Sequence, residues 1–366
     1  MSKILILANH FNTLRIFRRE LIKKLNEIGC EVIISIPPCD QKEIDNLESY
    51  GSTVIVTSEM ERRGKNPLHD FSLLKSYHKL IKIINPDKVI TYTIKPNIYG
   101  AIACKRTNID CYCNVTGLGS AFMASSGIMR KLVSFMYKHS MNRAKKIFFE
   151  NIGNRDELVK NNIVKLNQTV VMAGAGVNVD EFKFAEYPKN DGYIHFLNVG
   201  RIMKEKGIDE YFYAIRKIKA EFPYTTFDFI GWYEDNYKLA VDEMQKDGLI
   251  CFHGFQSDVI PFIKRAHCIV YPSYHEGMSN TLLEACSIGR PVITSNIHGC
   301  LEAVDEGKNG FLANVKDGED LYKKIKQFIE LPYEKKILMG KYAREFIVRK
   351  FNKTDVVNKT IKEIGL

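Results

Sequence analysis

The run Cys268-Ile269-Val270-Tyr271-Pro272-Ser273-Tyr274-His275-Glu276-Gly277-Met278-Ser279-Asn280-Thr281-Leu282-Leu283-Glu284-Ala285 decides the fold. Four apolar, β-prone residues end against a proline, which cannot donate to a sheet ladder, so a short buried strand stops at Tyr271. A polar loop follows. Ser279 then opens an apolar-periodic stretch to Ser287, the signature of a helix start, and Gly289 is placed to end it. Pro291 to Thr294 is again a short apolar strand. Strand, loop, helix and strand in so few residues form the repeating unit of a parallel sheet, whose crossovers need a helix.

The same alternation recurs on both sides. Around the quoted run lie a helix from Asp209, strands Thr225 to Ile230 and Leu249 to Phe252, and a helix from Asp258. In the first half, Ile4 to Ala8 precedes Thr13 to Glu27, Glu31 to Ile36 precedes Gln41 to Glu48, and Lys88 to Thr93 precedes Asn97 to Lys105. The rhythm pauses where glycine, proline and asparagine crowd between Gly174 and Gly192, and restarts with the strand Tyr193 to Val199. A chain of 366 residues also exceeds what one core usually holds. These readings predict an α/β protein of two Rossmann-like, doubly wound domains facing a cleft, residues 1–185 and 186–345. A C-terminal helix, 346–366, is expected to pack back on the first domain.

Composition excludes several classes. At 45% hydrophobic and 11% aromatic the chain is too apolar to be disordered. No run approaches the roughly 18 apolar residues of a membrane span, and the opening Met1-Ser2-Lys3 before Ile4 to Ala8 is too short for a signal peptide. Nine cysteines without a Cys-x-x-Cys pair predict reduced, mostly buried thiols and a cytoplasmic setting. Cys111 and Cys113 fall on one face of a strand with no nearby ligands to complete a metal site.

The net charge of +10 is uneven: residues 1–190 hold 28 Lys and Arg against 18 Asp and Glu, and the remainder holds 25 of each. Within 101–149, Lys105, Arg106, Arg130, Lys131, Lys138, Arg143, Lys145 and Lys146 face a single acid, Asp110. Such a patch attracts phosphate, whether of a diphosphate, a lipid headgroup or a nucleic acid. Ser126 to Lys146 reads as a basic amphipathic helix; it suits an anionic membrane surface or, more mundanely, core packing with a solvated face.

In parallel sheets ligands sit beyond the carboxyl ends of the strands. After the strand ending at Val199 comes Gly200-Arg201, with Lys206-Gly207 shortly beyond. A bare backbone, a guanidinium and an ammonium just before a helix suit a diphosphate. In the quoted run, Glu276 lies in the loop while Glu284 lies about two turns into the helix, so the two carboxylates address different parts of one extended ligand. Gly277, Met278, Ser279, Asn280 and Thr281 lead into that helix, whose free N–H groups and positive dipole end favour phosphate. Taken singly, Ser279 reads equally as a helix cap and Glu284 as half of a surface pair.

These residues resemble a known family. Gly200-Arg201 with Lys206-Gly207, Pro272-Ser273-x-x-Glu276-Gly277, Glu284-Ala285 and Gly289-x-Pro291-Val292-Ile293 look like the family-four glycosyltransferases of the GT-B fold. The resemblance implies retaining transfer from a nucleotide-diphosphate sugar, uridine rather than guanosine. Arg201 and Lys206 would hold the diphosphate, Glu276 the transferred sugar, the amides from Gly277 to Asn280 its hydroxyls and phosphates, and Glu284 the ribose. Thr93-Ile94-Lys95-Pro96-Asn97-Ile98-Tyr99-Gly100 and Val115-Thr116-Gly117-Leu118-Gly119-Ser120 are similar to members that extend lipid-diphosphate-linked sugars for bacterial surface polysaccharide.

Two departures stand out. Many members carry a Gly-Gly loop after the first strand, where this chain has Asn9-His10-Phe11-Asn12-Thr13; many present a His where this chain has Lys95. Asn9, Lys95, Thr116 and Gly117 are therefore the acceptor-side candidates. No Asp-x-Asp occurs, so no metal is expected to bridge the diphosphate. A sugar-nucleotide 2-epimerase of the same architecture, a nucleic-acid-binding module and a catalytically silent partner subunit are the rival readings; no nucleic-acid motif accompanies the basic excess. A nucleotide sugar, a lipid-linked acceptor and the inner membrane face are the expected partners.

Overall fold

The computed structural model describes residues 1–57, 67–118 and 127–366, with backbone only at 67, 68 and 128–130. By contact the chain divides into two compact units, Met1–Ala175 with Lys353–Leu366, and Gly176–Asn352.

The first unit is built on seven parallel strands: β1 (Lys3–Ala8), β2 (Glu31–Ile36), β3 (Thr53–Val56), β4 (Lys88–Tyr92), β5 (Asp110–Val115), β6 (Lys146–Phe149) and β7 (Thr169–Val171). Their order is β3-β2-β1-β4-β5-β6-β7. Helices cover both faces, so β1 is buried from Ile4 to Ala8 without alternation. Side-chain alternation still sorts it: Leu5 and Leu7 join Tyr77, Val89 and Tyr137 on one face, while Ile4 and Ile6 join Ile22, Ile90 and Ile361 on the other.

The second unit has six parallel strands, β8 (Ile194–Val199), β9 (Thr225–Ile230), β10 (Cys251–Phe252), β11 (Cys268–Tyr271), β12 (Val292–Ser295) and β13 (Gly310–Ala313), ordered β10-β9-β8-β11-β12-β13. Phe196, Phe227 and Phe229 pack one face against Tyr211, Ile215 and Phe328 from the helices Ile208–Glu221 and Gly318–Ile329. Both sheets thus reverse direction between their first and fourth strands, the doubly wound order. Among the described residues no helix is long and apolar enough to cross a membrane.

The units divide at 175/176 and 352/353, where the sequence reading placed breaks at 185/186 and 345/346. Buried arginines account for both shifts. Fully buried Arg290 donates to the carbonyls of Ala185 and Glu186, and also to Ile263, Lys264, Ile288 and Gly289. Arg344 donates to those of Val179 and Phe182. Residues 176–186 are therefore tied to the second unit. The helix Tyr333–Phe351 buries Met339, Ala343 and Phe346 in that unit and ends at Asn352. Only then does Lys353–Glu363 join the first unit, where Lys359 donates to the Val171 carbonyl at 2.8 Å and Tyr112 to that of Ile364 at 3.2 Å.

Local departures from the sequence reading have local causes. The helix expected from Thr13 to Glu27 is two, Phe11–Phe17 and Arg19–Glu27, because Arg18 (φ −127°, ψ 7°) leaves helical geometry to pair with Glu150 at 2.8 Å. The helix expected at Asn97 begins as a π-helical turn, Pro96–Gly100. Seven cysteines are buried, Cys39 is half-buried and Cys251 is exposed.

Candidate active site

At the carboxyl end of β8, Gly200 stands where an added Cβ would lie 3.1 Å from the Tyr271 ring at the end of β11. The chain then passes Arg201, makes one tight turn, Lys204–Lys206, and reverses through Gly207 at φ +69°. A Cβ on Gly207 would sit 2.1 Å from the Pro272 carbonyl oxygen, so only glycine lets this loop touch the loop after β11. That approach brings together two residues 70 positions apart: the Lys206 ammonium bonds the Glu276 carboxylate.

The pair is largely buried, with 11% and 14% of the two side chains exposed, and Tyr271 donates to Glu276 at 2.9 Å. Burial by itself would discharge both groups. It pulls Lys206 down, but the Glu276 charge and Tyr271 outweigh it and leave the ammonium above its ordinary value. Burial likewise pushes Glu276 up, and Lys206, with hydrogen bonds from Lys206, Ser273 and Tyr271, reverses the shift. Each therefore stays charged at neutral pH. Desolvation and Glu276 raise the neighbouring Cys300 thiol, keeping it protonated.

The Glu276 loop is braced from behind. Gly299, at φ +92°, leaves no room for a Cβ, which would lie 2.7 Å from that of Glu276, and its carbonyl accepts from Ser279 N–H at 2.8 Å. Ser279 is the N-cap residue of the helix Asn280–Ile288, yet its side chain makes no capping bond, and its hydroxyl oxygen is buried without a hydrogen-bond partner. Met278 is buried beside it. Asn280 donates to the Met278 carbonyl at 3.4 Å, and Thr281 to that of Val199 at 3.3 Å, which fastens the helix to the end of β8. Glu284 lies half-buried on the same helix.

Gly200, Lys206, Glu276 and the Gly277–Thr281 segment are thus assembled at the ends of β8 and β11. Arg201 pairs elsewhere, with Glu234 at 3.8 Å. The sequence reading missed Tyr271, Gly299 and Glu234. Tyr271 carried a signal in closing the strand before the quoted loop; Gly299, 22 residues after Gly277, carried none.

In the first unit, Asn9 follows β1, and Thr116 and Gly117 (φ +145°) follow β5. Lys95 opens the π-helical turn and bonds Asp70 at 2.7 Å. Beneath it, buried Asn97 accepts from Thr91 at 2.6 Å and donates to the Asn114 carbonyl at 2.8 Å, joining the ends of β4 and β5. Thr93 adopts φ +74°, rare for a β-branched residue and a mark of stored strain. Gly119 and Ser120 of the second motif lie outside the described residues, as does Ser126.

Comparison with known proteins bears on this arrangement. Residues 179–346 match the family model of group 1 glycosyl transferases, and residues 3–151 a glycosyl transferase 4-like model. The N,N'-diacetylbacillosaminyl-diphospho-undecaprenol alpha-1,3-N-acetylgalactosaminyltransferase of Campylobacter jejuni is 28% identical over 86% of each chain. The UDP-Gal:alpha-D-GlcNAc-diphosphoundecaprenol alpha-1,3-galactosyltransferase of Escherichia coli is 28% identical over 82% of this chain and 81% of its own. Among solved structures, Anabaena HepE in complex with UDP and glucose superposes with a TM-score of 0.79 over the whole of both chains at 17% identity, a likeness of fold. The epimerase alternative is overturned, since the relatives that span the chain are transferases.

Proposed function

We propose that this chain, which belongs to the group 1 glycosyltransferases and has their two parallel-sheet domains in the GT-B fold, moves a hexose or N-acetylhexosamine from a UDP-sugar to a saccharide carried on a polyprenyl diphosphate, retaining anomeric configuration. One observation carries the reading. Beyond β8 and β11 a buried cation and a buried anion are held charged in contact, Lys206 with Glu276, beside a helix N-terminus with an unpartnered hydroxyl.

When the anomeric C–O bond of such a donor breaks, negative charge grows on the departing diphosphate and positive charge on the sugar ring. Lys206, Arg201 and the amides of Gly277 to Asn280 answer the first; Glu276 answers the second. Because these charges are set in place before reaction, they need no reorganisation during it. Glu284, further along the helix, is assigned to the ribose. The acceptor hydroxyl must be fixed on the face the leaving group vacates, and Asn9, Lys95, Thr116 and Gly117 are the groups assigned to it. Leaving-group neutralisation by side chains and helix end makes a metal unnecessary, so chelation should leave the rate unchanged.

The acceptor places the enzyme at the inner membrane face, as a peripheral protein. Along the helix Gly127–Met141, Leu132 and Phe135 are 52% and 67% exposed beside Lys131 and Lys138, a pattern that suits an anionic interface. The Arg130 side chain lies outside the described residues. The experiment is a nucleotide-release assay over UDP- and GDP-sugars, with and without membranes carrying lipid-linked precursors. UDP release that depends on those membranes supports the reading; no release under either condition refutes it.

A further inference from the structure

On the outer edge of the second unit's sheet, parallel pairing sets Cys251 of β10 directly opposite Asp228 of β9. His253 follows Cys251 by two positions, and its N–H continues the ladder to the Phe229 carbonyl at 2.9 Å, so alternation turns its side chain to the same face as that of Cys251. The three side chains meet there: His253 Nε2 lies 2.5 Å from Asp228 Oδ1, and one ligand atom each of Asp228, Cys251 and His253 falls within 4.8 Å of the others. None of the three takes part in the Lys206–Glu276 site.

From this juxtaposition we propose that Asp228, Cys251 and His253 bind a zinc ion. A carboxylate oxygen, a thiolate and an imidazole are the mixed donor set zinc accepts, and three protein ligands leave a fourth position open. Zinc bonds of roughly 2.0 Å to oxygen and nitrogen set a tetrahedral O···N separation near 3.3 Å, so Asp228 and His253 need only part by under about 1 Å. Two features favour a cation over a bare hydrogen-bonded pair. The imidazole is already oriented, its ring against Phe262 with centroids 5.1 Å apart and its Nε2 on Asp228, while the His253 backbone carbonyl accepts from Gln256 at 2.9 Å. Cys251 is the exposed cysteine of the nine, so its sulfur is open to an incoming ion.

Asp228 and His253 also line a pocket of about 460 Å³ with Asp191, His195, Lys264 and Arg265. That room admits a water or small anion at the open position, and Lys189, Lys264 and Arg265 in its lining suit an anionic occupant. On binding, the shared His253–Asp228 proton moves to the other ring nitrogen, the Cys251 thiol releases its proton to solvent, and three coordinate bonds replace one hydrogen bond.

The test uses the reduced full-length chain, dialysed against buffered zinc and assayed for bound metal, with cobalt substitution as a spectroscopic probe. About one equivalent should bind, the cobalt form should show a sulfur-to-metal charge-transfer band, and Cys251→Ser and His253→Gln should each weaken binding by ~10-fold or more. Cys251→Ser should keep wild-type UDP release, establishing that it is folded. Absence of retained zinc, a cobalt spectrum without the sulfur band, or wild-type affinity in either variant would overturn the proposal.

Discussion

The two units share a sheet order and differ in what they hold at its turning point. In the second unit, Lys206 from the loop after the first strand reaches Glu276 after the fourth, and the ion pair spans the point where the strand order reverses. In the first unit, Lys95 after the fourth strand bonds back to Asp70 on the helix Pro67–Ile84, 25 residues earlier, and the loop after β1 has no glycine through which to approach it. The same topology therefore yields one site whose charges are opposed across two loops and one whose charge is folded onto its own crossover. A glycine at 207 and its absence at the corresponding turn make that difference.

The comparison breaks most sharply if the opposed pair proves dispensable. Lys206→Ala should cut kcat/KM for nucleotide sugar by 10²–10³, about 2.7 to 4 kcal/mol of transition-state stabilisation. Turnover within a few-fold of wild type would remove Lys206 from the site. An effect of similar size, but on folding, is expected at Arg290, whose fully buried guanidinium serves six carbonyls and is held below its ordinary value, at about 10, by burial. Arg290→Ala should cost about 3 kcal/mol or more of stability in urea titration, because several buried acceptors lose their donor together.

Next comes pH. His267 is buried immediately before β11, and burial, with His195 beside it, lowers it from 6.5 to about 4. As pH falls below 6.5 the unfolded chain takes this proton while the folded chain does not. Stability present above pH 6.5 is thus lost progressively down to about 4, by ~3 kcal/mol in total. His267→Gln should flatten that limb of a stability-against-pH curve; an unchanged slope would assign the acid sensitivity elsewhere. The smallest effect is expected in the first unit. Lys95→Met should alter acceptor KM more than donor KM and, as a partly exposed pair, change stability by about 1 kcal/mol or less. A loss as large as that of Lys206→Ala would mean the two pairs are equivalent after all.

Much of this was legible before any coordinates. The apolar runs Ile4 to Ala8 and Cys268 to Tyr271 could be read as buried strands because parallel strands need no alternation, and Gly200, Lys206, Glu276 and Ser279 sit beside strand ends that the pattern had already marked. The unit boundary was less legible. Glycine and proline near 174–192 mark a change of direction, but which unit owns 176–185 depends on Arg290 and Arg344 reaching back more than 100 residues to carbonyls there. Arg18 likewise reads as one more helix residue until Glu150, 132 positions on, draws it out of the helix.

What the sequence by itself determined was the class of the fold, two parallel sheets, and the strand ends from which a ligand site must be built, since periodicity and turn chemistry act over neighbouring residues. What only the tertiary structure decided was pairing: Lys206 with Glu276 and Tyr271, Gly299 behind the Glu276 loop, Lys95 with Asp70, and Cys251 beside Asp228 and His253. Those partners are brought together by strand register and loop contact across long stretches of chain, and no local pattern encodes which distant residue a packed sheet sets alongside another.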